Sequence, residues 1–300
     1  MRRLHWFQND LRLTDNPALA GAQSADSLLC VYLLPRPRPW CNLTGLGPQR
    51  DRFLRESLQE LKTQLQQLGP ELMVLEGSPE LVLPSVVERY GIEYVTTSFT
   101  AGWYESQGVA FLEEKLPVPL EVFRGNTLFN IEQLPFAIED LPNTFSPFRR
   151  KVEKQVIDRP HSAPESLPPP PAAQFDAIPH AAASPHPGLP LPGGSAAGLR
   201  RLDQFLFQEH GIADYKQTRN DLDGLAGSST LSPWLANGAV SVRTVAHDIF
   251  RYEREHTAND STYWLYFELL WREFFHWRAV EASSTERFRS LTDDSGTRVY

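Results

Sequence analysis

The stretch from Asn259 to Trp277 has the sequence NDSTYWLYFELLWREFFHW. Its apolar residues recur at intervals of three and four, which predicts one long helix from Thr262 to Glu281. At 100° per residue, one stripe about 80° wide holds side chains typical of a protein core. These side chains are Tyr263, Phe267, Leu270, Phe274 and Trp277.

A second face of the same helix mixes large aromatic side chains with charges. It carries Trp264, Glu268, Trp271 and Phe275, with Arg272 at its edge. A buried charge is costly unless it is paired, so two interpretations remain open. Glu268 and Arg272 form an i,i+4 ion pair on a partly solvated face, which the pattern alone favours. Alternatively, the face is a cavity wall that stacks on a flat ligand and binds its polar edges.

The loop at 224–234 has the sequence GLAGSSTLSPW. Two glycines permit a close bend of the backbone, and hydroxyl side chains follow at Ser228, Ser229, Thr230 and Ser232. Ser232 and Pro233 are typical of a helix N-cap and first helical residue. Hydroxyls and free N–H groups at a helix start can bind a phosphate. The alternative is an ordinary turn rich in serine and glycine.

Residues 1–135 alternate short apolar runs with helical patterns. Strands are expected at 4–7, 27–34, 72–76 and 94–97, and helices at 50–68, 79–90 and 105–116, with a helix start at Asn16-Pro17. Strands that alternate with helices predict an α/β fold whose parallel sheet is covered on both faces. The first domain is therefore assigned to residues 1–135.

The rest of the chain divides into a connecting segment, 136–198, and a helical domain, 199–300. The stretch 160–192 holds 11 of the 25 prolines, so it is expected to cross the surface rather than to form a core. Ahead of it lies a basic cluster, which is either a solvated helix face or part of a DNA path. This cluster consists of Arg149, Arg150, Lys151, Lys154 and Arg159.

Composition excludes several classes of protein. The net charge of −8 does not indicate a strongly basic nucleic-acid binder, although a local basic patch remains compatible with it. Two cysteines, Cys30 and Cys41, provide neither a disulfide framework nor a metal-ligand cluster. No apolar run approaches the roughly 20 residues of a membrane span, and no signal peptide is evident. A cytoplasmic, monomeric protein without a metal site is expected.

Four blocks of sequence occur in a fixed order along the chain. They are WFQNDLRLTDNPAL at 6–19, LPNTFSPFRRKVE at 141–153, YKQTRN at 215–220 with SSTLSPWLANGAVS at 228–241, and the stretch at 259–277. Together they resemble the photolyase/cryptochrome family, and the second and fourth blocks resemble its DASH-type cryptochromes. The resemblance implies a Rossmann-like antenna domain followed by an all-helical FAD-binding domain.

The resemblance also implies a reaction and its residues. Tyr215, the segment Ser228, Ser229, Thr230, Leu231 and Ser232, and Arg272 match positions that bind FAD, with Glu268 beside them. Glu268 and Trp271 match residues that meet a flipped-out pyrimidine dimer. The implied activity is blue-light-driven repair of cyclobutane pyrimidine dimers by electron transfer from reduced FAD, preferably in single-stranded DNA.

Further expectations accompany this resemblance. A light-sensing cryptochrome that binds nucleic acid or a partner without repair shares every motif, and an inactive truncated chain is a third alternative. Family members continue well past Tyr300, so the FAD-binding domain is expected to be incomplete, without the wall that faces the flavin ring. Glu105 is the candidate contact for a folate antenna, methenyltetrahydrofolate; its alternative role is an acidic residue in the first turn of a helix.

Overall fold

The computed structural model describes residues 1–35, 45–188, 190–221 and 227–284. Within these ranges, five parallel strands form one sheet in the order β3-β2-β1-β4-β5. The strands are β1 Arg2–Phe7, β2 Ser27–Leu34, β3 Leu72–Glu76, β4 Tyr94–Ser98 and β5 Leu120–Phe123. The helices of this part are α1 Pro17–Ala20, α2 Pro48–Leu68, α3 Pro79–Tyr90 and α4 Trp103–Lys115.

The sheet is covered on both faces, as predicted. In β2, alternate residues point to opposite sides: Cys30 packs in the core under α2, whereas Val31 packs in the core under α3 and α4. This alternation follows from the period of two in an extended strand. The Asn16 side chain accepts a hydrogen bond from the Leu19 amide at 3.0 Å and so caps α1.

The second part of the chain is helical. Its helices are α5 Phe145–Val152, α6 Ser195–Asp203, α7 Tyr215–Thr218, α8 Ser232–Ala236, α9 Val242–Glu255 and α10 Asp260–Ser284. A π-helical turn, Gln204–Gln208, continues α6. One apolar core joins residues 128–157 to these helices up to Val280. Phe145 and Phe148 of α5 are therefore packed with the helical part, although the predicted division at 136–198 counted them with the connecting segment.

The proline-rich stretch crosses the surface over α2. Leu167 and Ile178 are buried against the α2 side of the sheet. Lys62 of α2 donates from Nζ to the Asp176 carbonyl at 2.8 Å. The stretch is held on the surface by these contacts to α2 and the sheet, and it forms no core of its own.

The α/β part and the helical part meet through a buried ion pair. Arg243 of α9 donates from Nη2 and Nε to the two oxygens of Asp15, at 2.7 and 3.0 Å. Ser241 also donates its hydroxyl to Asp15, and both charged side chains are almost completely buried. Arg12 donates from Nη1 to the Gly238 carbonyl at 2.8 Å. This junction fixes α9 and α8 against the carboxyl end of β1.

No helix in these ranges is long and apolar enough to cross a membrane.

Candidate functional site

Helix α10 has one open face. Trp264, Glu268 and Trp271 are half-buried along it, and Phe275 is 62% exposed. These are the residues that the helical pattern had set apart from the core. The face therefore presents a row of aromatic rings with a carboxylate among them.

The neighbouring stripe of α10, predicted to be core, is only partly buried, which corrects the prediction. Leu270, Phe274 and Trp277 are buried as expected, but Tyr263 and Phe267 are half-buried. Tyr263 needs a polar partner and donates its hydroxyl to Glu153 at 2.9 Å. The Arg149 guanidinium lies over the Phe267 ring, 5.7 Å from the ring centroid. Leu265, Tyr266 and Leu269 are buried instead.

Trp271 stacks on a residue that the sequence did not indicate. The Phe145 ring of α5 lies parallel to it, with centroids 3.7 Å apart and planes at 12°. Phe275 stacks on Trp271 more loosely, at 5.5 Å and 25°. The Trp271 indole is therefore held at a fixed angle by α5. Its role as a platform for a base stays a prediction.

The predicted pair between Glu268 and Arg272 is wrong. Glu268 Oε1 accepts from Arg219 Nη1 and from Trp264 Nε1, each at 3.1 Å. Arg272 instead donates from Nη1 to the Asn126 carbonyl at 2.8 Å, and burial lowers the pKa of its guanidinium. Arg219 comes from the segment after α7, so a local helical pattern could not identify it.

Charges and rings are packed together around Trp264. The Arg219 guanidinium lies 5.2 Å and the Lys216 ammonium 5.0 Å from the centroid of the indole. Arg219 Nε is buried and has no hydrogen-bond partner among the residues that the structure describes. An unsatisfied buried donor beside an open aromatic face is a position where a ligand acceptor would be favourable.

Tyr215 links this cluster to the loop. It is buried, and burial raises the pKa of its hydroxyl, with Glu268 adding to the effect and Arg219 and a hydrogen bond to Ser229 opposing it. The structure thus brings Tyr215, Ser229 and Glu268 together. All three are predicted cofactor contacts.

The loop after Gly227 has an unusual backbone at Thr230, whose φ is 54°. Leu231 is buried in the helical core, so a ligand would meet its backbone rather than its side chain. Helix α8 begins at Ser232, with Leu231 at the N-cap and no side-chain cap, so the predicted Ser232 cap is displaced by one residue. Gly224, Leu225 and Ala226 lie outside the described residues.

The carbonyl oxygens of this loop are bound from behind. Arg201 of α6 donates to the Ser228 carbonyl at 2.8 Å and to the Ser229 carbonyl at 3.2 Å. Thr218 donates its hydroxyl to the Gly227 carbonyl at 2.9 Å. The carbonyl oxygens of the loop are therefore directed toward α6 and α7. This orientation reduces their repulsion of an anion bound at the opposite side of the loop.

Glu273 is a buried residue of α10 that sequence reasoning passed over. Its oxygens accept from the amides of Leu128 and Phe129, at 2.9 and 3.3 Å, and from Trp277 Nε1 at 2.8 Å. Burial raises the pKa of its carboxyl despite these bonds. These hydrogen bonds fix the rotation of α10 about its axis. The only signal in the sequence was an acidic residue inside an apolar stretch.

Two cavities lie at the carboxyl ends of β1 and β2. Glu105, in the first turn of α4, lines a cavity of about 490 Å³ with Tyr32 and Tyr104. A neighbouring cavity of about 720 Å³ shares Tyr32 and extends to Phe53 and His186. Ligands of parallel α/β sheets bind at this edge. Among the described residues, no group of three or more His, Cys, Asp or Glu could hold a metal ion.

Comparison with known proteins gives consistent results. The family model for DNA photolyase matches residues 3–171. The DASH cryptochromes of Idiomarina loihiensis and Vibrio parahaemolyticus are 36% and 39% identical; each match covers 92% of this chain, and 62% and 63% of the relative. The chain thus spans about three fifths of the length of these relatives.

Solved structures show the same relationship. The cryptochrome of Synechocystis sp. PCC6803 superposes with a TM-score of 0.86 at 35% identity, covering 94% of this chain and 62% of that one. A class III photolyase from Agrobacterium tumefaciens superposes with a TM-score of 0.77 at 22% identity, covering 98% of this chain and 63% of that one. The second match shows the fold alone.

Proposed function

The chain belongs to the DNA photolyase family, and on this premise we propose that it serves blue-light-driven repair of cyclobutane pyrimidine dimers, with single-stranded DNA as the preferred substrate. The observation that carries the proposal is the open face of α10 beside the 227–232 loop. Aromatic rings for a flat ligand and hydroxyls for its phosphates lie next to each other there.

The residues present fit FAD, the cofactor that the photolyase/cryptochrome family is known to bind. Arg219 Nε offers an unsatisfied donor beside Trp264, and the 227–232 loop has its carbonyls bound by Arg201 and Thr218. The residues that would hold the cofactor are Tyr215, Ser228, Ser229, Thr230, Leu231, Ser232, Glu268 and Arg272. When bound and reduced, FAD supplies the light-driven electron transfer.

Trp271 and Glu268 are the proposed substrate residues. The indole is held in a fixed orientation by its stacking on Phe145, so it meets an unstacked base without a change of rotamer. Stacking of a base on an aromatic ring contributes about 1–3 kcal/mol. Glu268 uses Oε1 for Arg219 and Trp264, and its carboxylate has further acceptor capacity for the Watson–Crick edge of a base. A dimer in a single strand requires less unpairing, which supports the preferred substrate.

The test is Trp271→Ala, with Phe111→Ala as the matched control. Phe111 is an exposed aromatic residue on α4 and is not one of the proposed site residues. We expect Trp271→Ala to lower the affinity for a dimer-containing oligonucleotide about 5- to 100-fold and to lower light-dependent repair. Flavin absorption should be unchanged. Unchanged affinity and repair in Trp271→Ala would contradict the stacking role.

A light-sensing role without repair is the second candidate, and one observation favours it. Phe145 already covers one face of Trp271, which reduces the surface free for a base. The two functions differ in one measurement, the number of dimers remaining after blue light with reduced FAD bound. Loss of dimers supports repair. A constant number, with light-dependent flavin spectra retained, supports sensing.

We also propose that the cavity lined by Glu105 holds a folate antenna, methenyltetrahydrofolate. Tyr32 and Tyr104 provide aromatic walls, and the Glu105 carboxylate provides an acceptor for amino groups of a pterin ring. The test is Glu105→Gln against Glu113→Gln, an exposed position on the same helix. Loss of the near-ultraviolet antenna band in the first variant alone supports the site. An equal band, with α4 destabilised, supports the helix-terminus role.

A further inference from the structure

We propose that Arg201 is a positioning residue that sets the shape of the 227–232 loop and thereby the affinity for the phosphates of FAD. The proposal rests on the FAD site proposed above. Arg201 lies on α6, behind the loop, and is only 7% exposed. It is not among the residues predicted to touch the cofactor, and its action is through the loop backbone.

The contacts of Arg201 match a planar group with several fixed donors. Nη2 donates to the Ser228 carbonyl at 2.8 Å, and Nε donates to the Ser229 carbonyl and to the Thr230 hydroxyl, each at 3.2 Å. Three successive residues of the loop are therefore held by one guanidinium. A lysine ammonium has the same charge but cannot match this geometry, because its donors radiate from a single atom.

The held residues include the strained one. A β-branched residue at positive φ is a genuine outlier that persists only where its surroundings impose it. Thr230 has a φ of 54°, and its hydroxyl also donates to the Ser229 carbonyl at 2.7 Å. The Arg201 guanidinium donates to both the Thr230 hydroxyl and the Ser229 carbonyl. These hydrogen bonds stabilise the positive φ of Thr230.

The charge of Arg201 is directed away from the ligand side. Nη1 pairs with Glu209 at 3.1 Å, and the guanidinium lies 5.4 Å from the Phe205 ring centroid. A pair of opposite charges contributes little net field at the front of the loop. The effect of Arg201 on an anion therefore comes from turning carbonyl oxygens inward, so that N–H groups and hydroxyls remain for the phosphates.

This distinction determines the experiment. In the full chain we compare Arg201→Lys and Arg201→Gln with Arg200→Lys and Arg200→Gln, since Arg200 is the adjacent, exposed arginine of the same helix. The first measurement is hydrogen exchange of the Ser228–Leu231 amides in flavin-free protein. The second is the dissociation constant for added FAD, from flavin fluorescence. Circular dichroism confirms that each variant is folded. If Arg201→Gln does not fold, Glu209→Gln is the milder variant, because it removes only the ion-pair partner of Arg201 Nη1.

We expect both Arg201 variants to exchange these amides at least about tenfold faster and to bind FAD about tenfold more weakly, with both Arg200 variants within about twofold of wild type. Wild-type exchange in Arg201→Lys and Arg201→Gln would overturn the positioning role. Wild-type FAD affinity in Arg201→Lys alone would also overturn it, since charge rather than shape would then be sufficient. If wild-type protein binds no FAD, the proposed function fails, while the exchange measurement still decides the role of Arg201.

Discussion

The junction between the two parts and the open face of α10 both place charges among apolar side chains. They differ in how completely those charges are buried and hydrogen-bonded. At the junction, both oxygens of Asp15 are bound by Arg243, and both side chains are buried. On the open face, Glu268 and Arg219 are each about one third exposed, and Arg219 Nε has no partner in the described part of the chain. A fully buried ion pair with two hydrogen bonds is suited to stability. A partly exposed pair beside aromatic rings is suited to a ligand.

Asp15→Ala is expected to have the largest effect on this comparison. It leaves the Arg243 guanidinium buried without its carboxylate, which costs about 3–5 kcal/mol of the free energy of unfolding. Chemical denaturation provides the measurement. Asp51→Ala is the control, because Asp51 forms an i,i+4 pair with Arg55 near the surface of α2 and its loss should cost less than about 1 kcal/mol. Equal effects would mean that the junction is not held by its charges.

His5, in the closed α/β part, gives the stability a pH dependence. Burial lowers the pKa of His5 from 6.5 to about 4, with Asp10 opposing the effect. Between pH 4 and pH 6.5 the His5 imidazole binds a proton in the unfolded chain but not in the folded chain. The contribution of neutral His5 to the free energy of unfolding is therefore fully present above about pH 6.5 and is lost as the pH falls toward 4. Wild type should lose about 2–3 kcal/mol more than His5→Gln over this range. His180→Gln, at an exposed position, is the control. If His180→Gln reduced the pH dependence of the free energy of unfolding as much as His5→Gln, the assignment to His5 would be refuted.

Arg219→Gln tests the open face, where the effect on stability should be smaller. The pair with Glu268 is partly solvated, so its loss should cost less than about 1 kcal/mol of the free energy of unfolding. Its effect on FAD affinity should be larger, because the buried donor beside Trp264 is removed. Arg251→Gln, which breaks an exposed pair on α9, should change neither. A loss of stability like that of Asp15→Ala would remove the contrast between the two regions.

Phe275→Ala is expected to have the smallest effect on stability. Phe275 is 62% exposed, so truncation should change the free energy of unfolding by less than about 0.5 kcal/mol. Thermal denaturation against wild type tests this. A large loss would show that Phe275 supports the stacking of Trp271 on Phe145 rather than facing solvent.

Sequence predicted the parts of the fold that depend on local periodicity. Four strands and the long helices are confirmed, since their apolar residues alternate or recur within a few positions. The fifth strand, Leu120–Phe123, was missed because it has four residues at the sheet edge and follows two prolines. Short edge strands have little periodic signal.

The candidate site was less accessible to sequence reasoning because its partners come from distant positions. The face of α10 was correctly separated from Leu270 and Trp277. The partner of Glu268 is Arg219, 49 residues away, and the ring beneath Trp271 comes from Phe145. Such contacts depend on how helices pack, which no window along one helix contains.

The most direct test of the proposed flavin site is the absorption spectrum of the purified 300-residue chain after incubation with FAD and gel filtration. We expect blue flavin bands to co-elute with the protein in wild type and to weaken in Arg219→Gln. Protein that elutes folded but without flavin bands would contradict a flavin site built from the open face of α10 and the 227–232 loop.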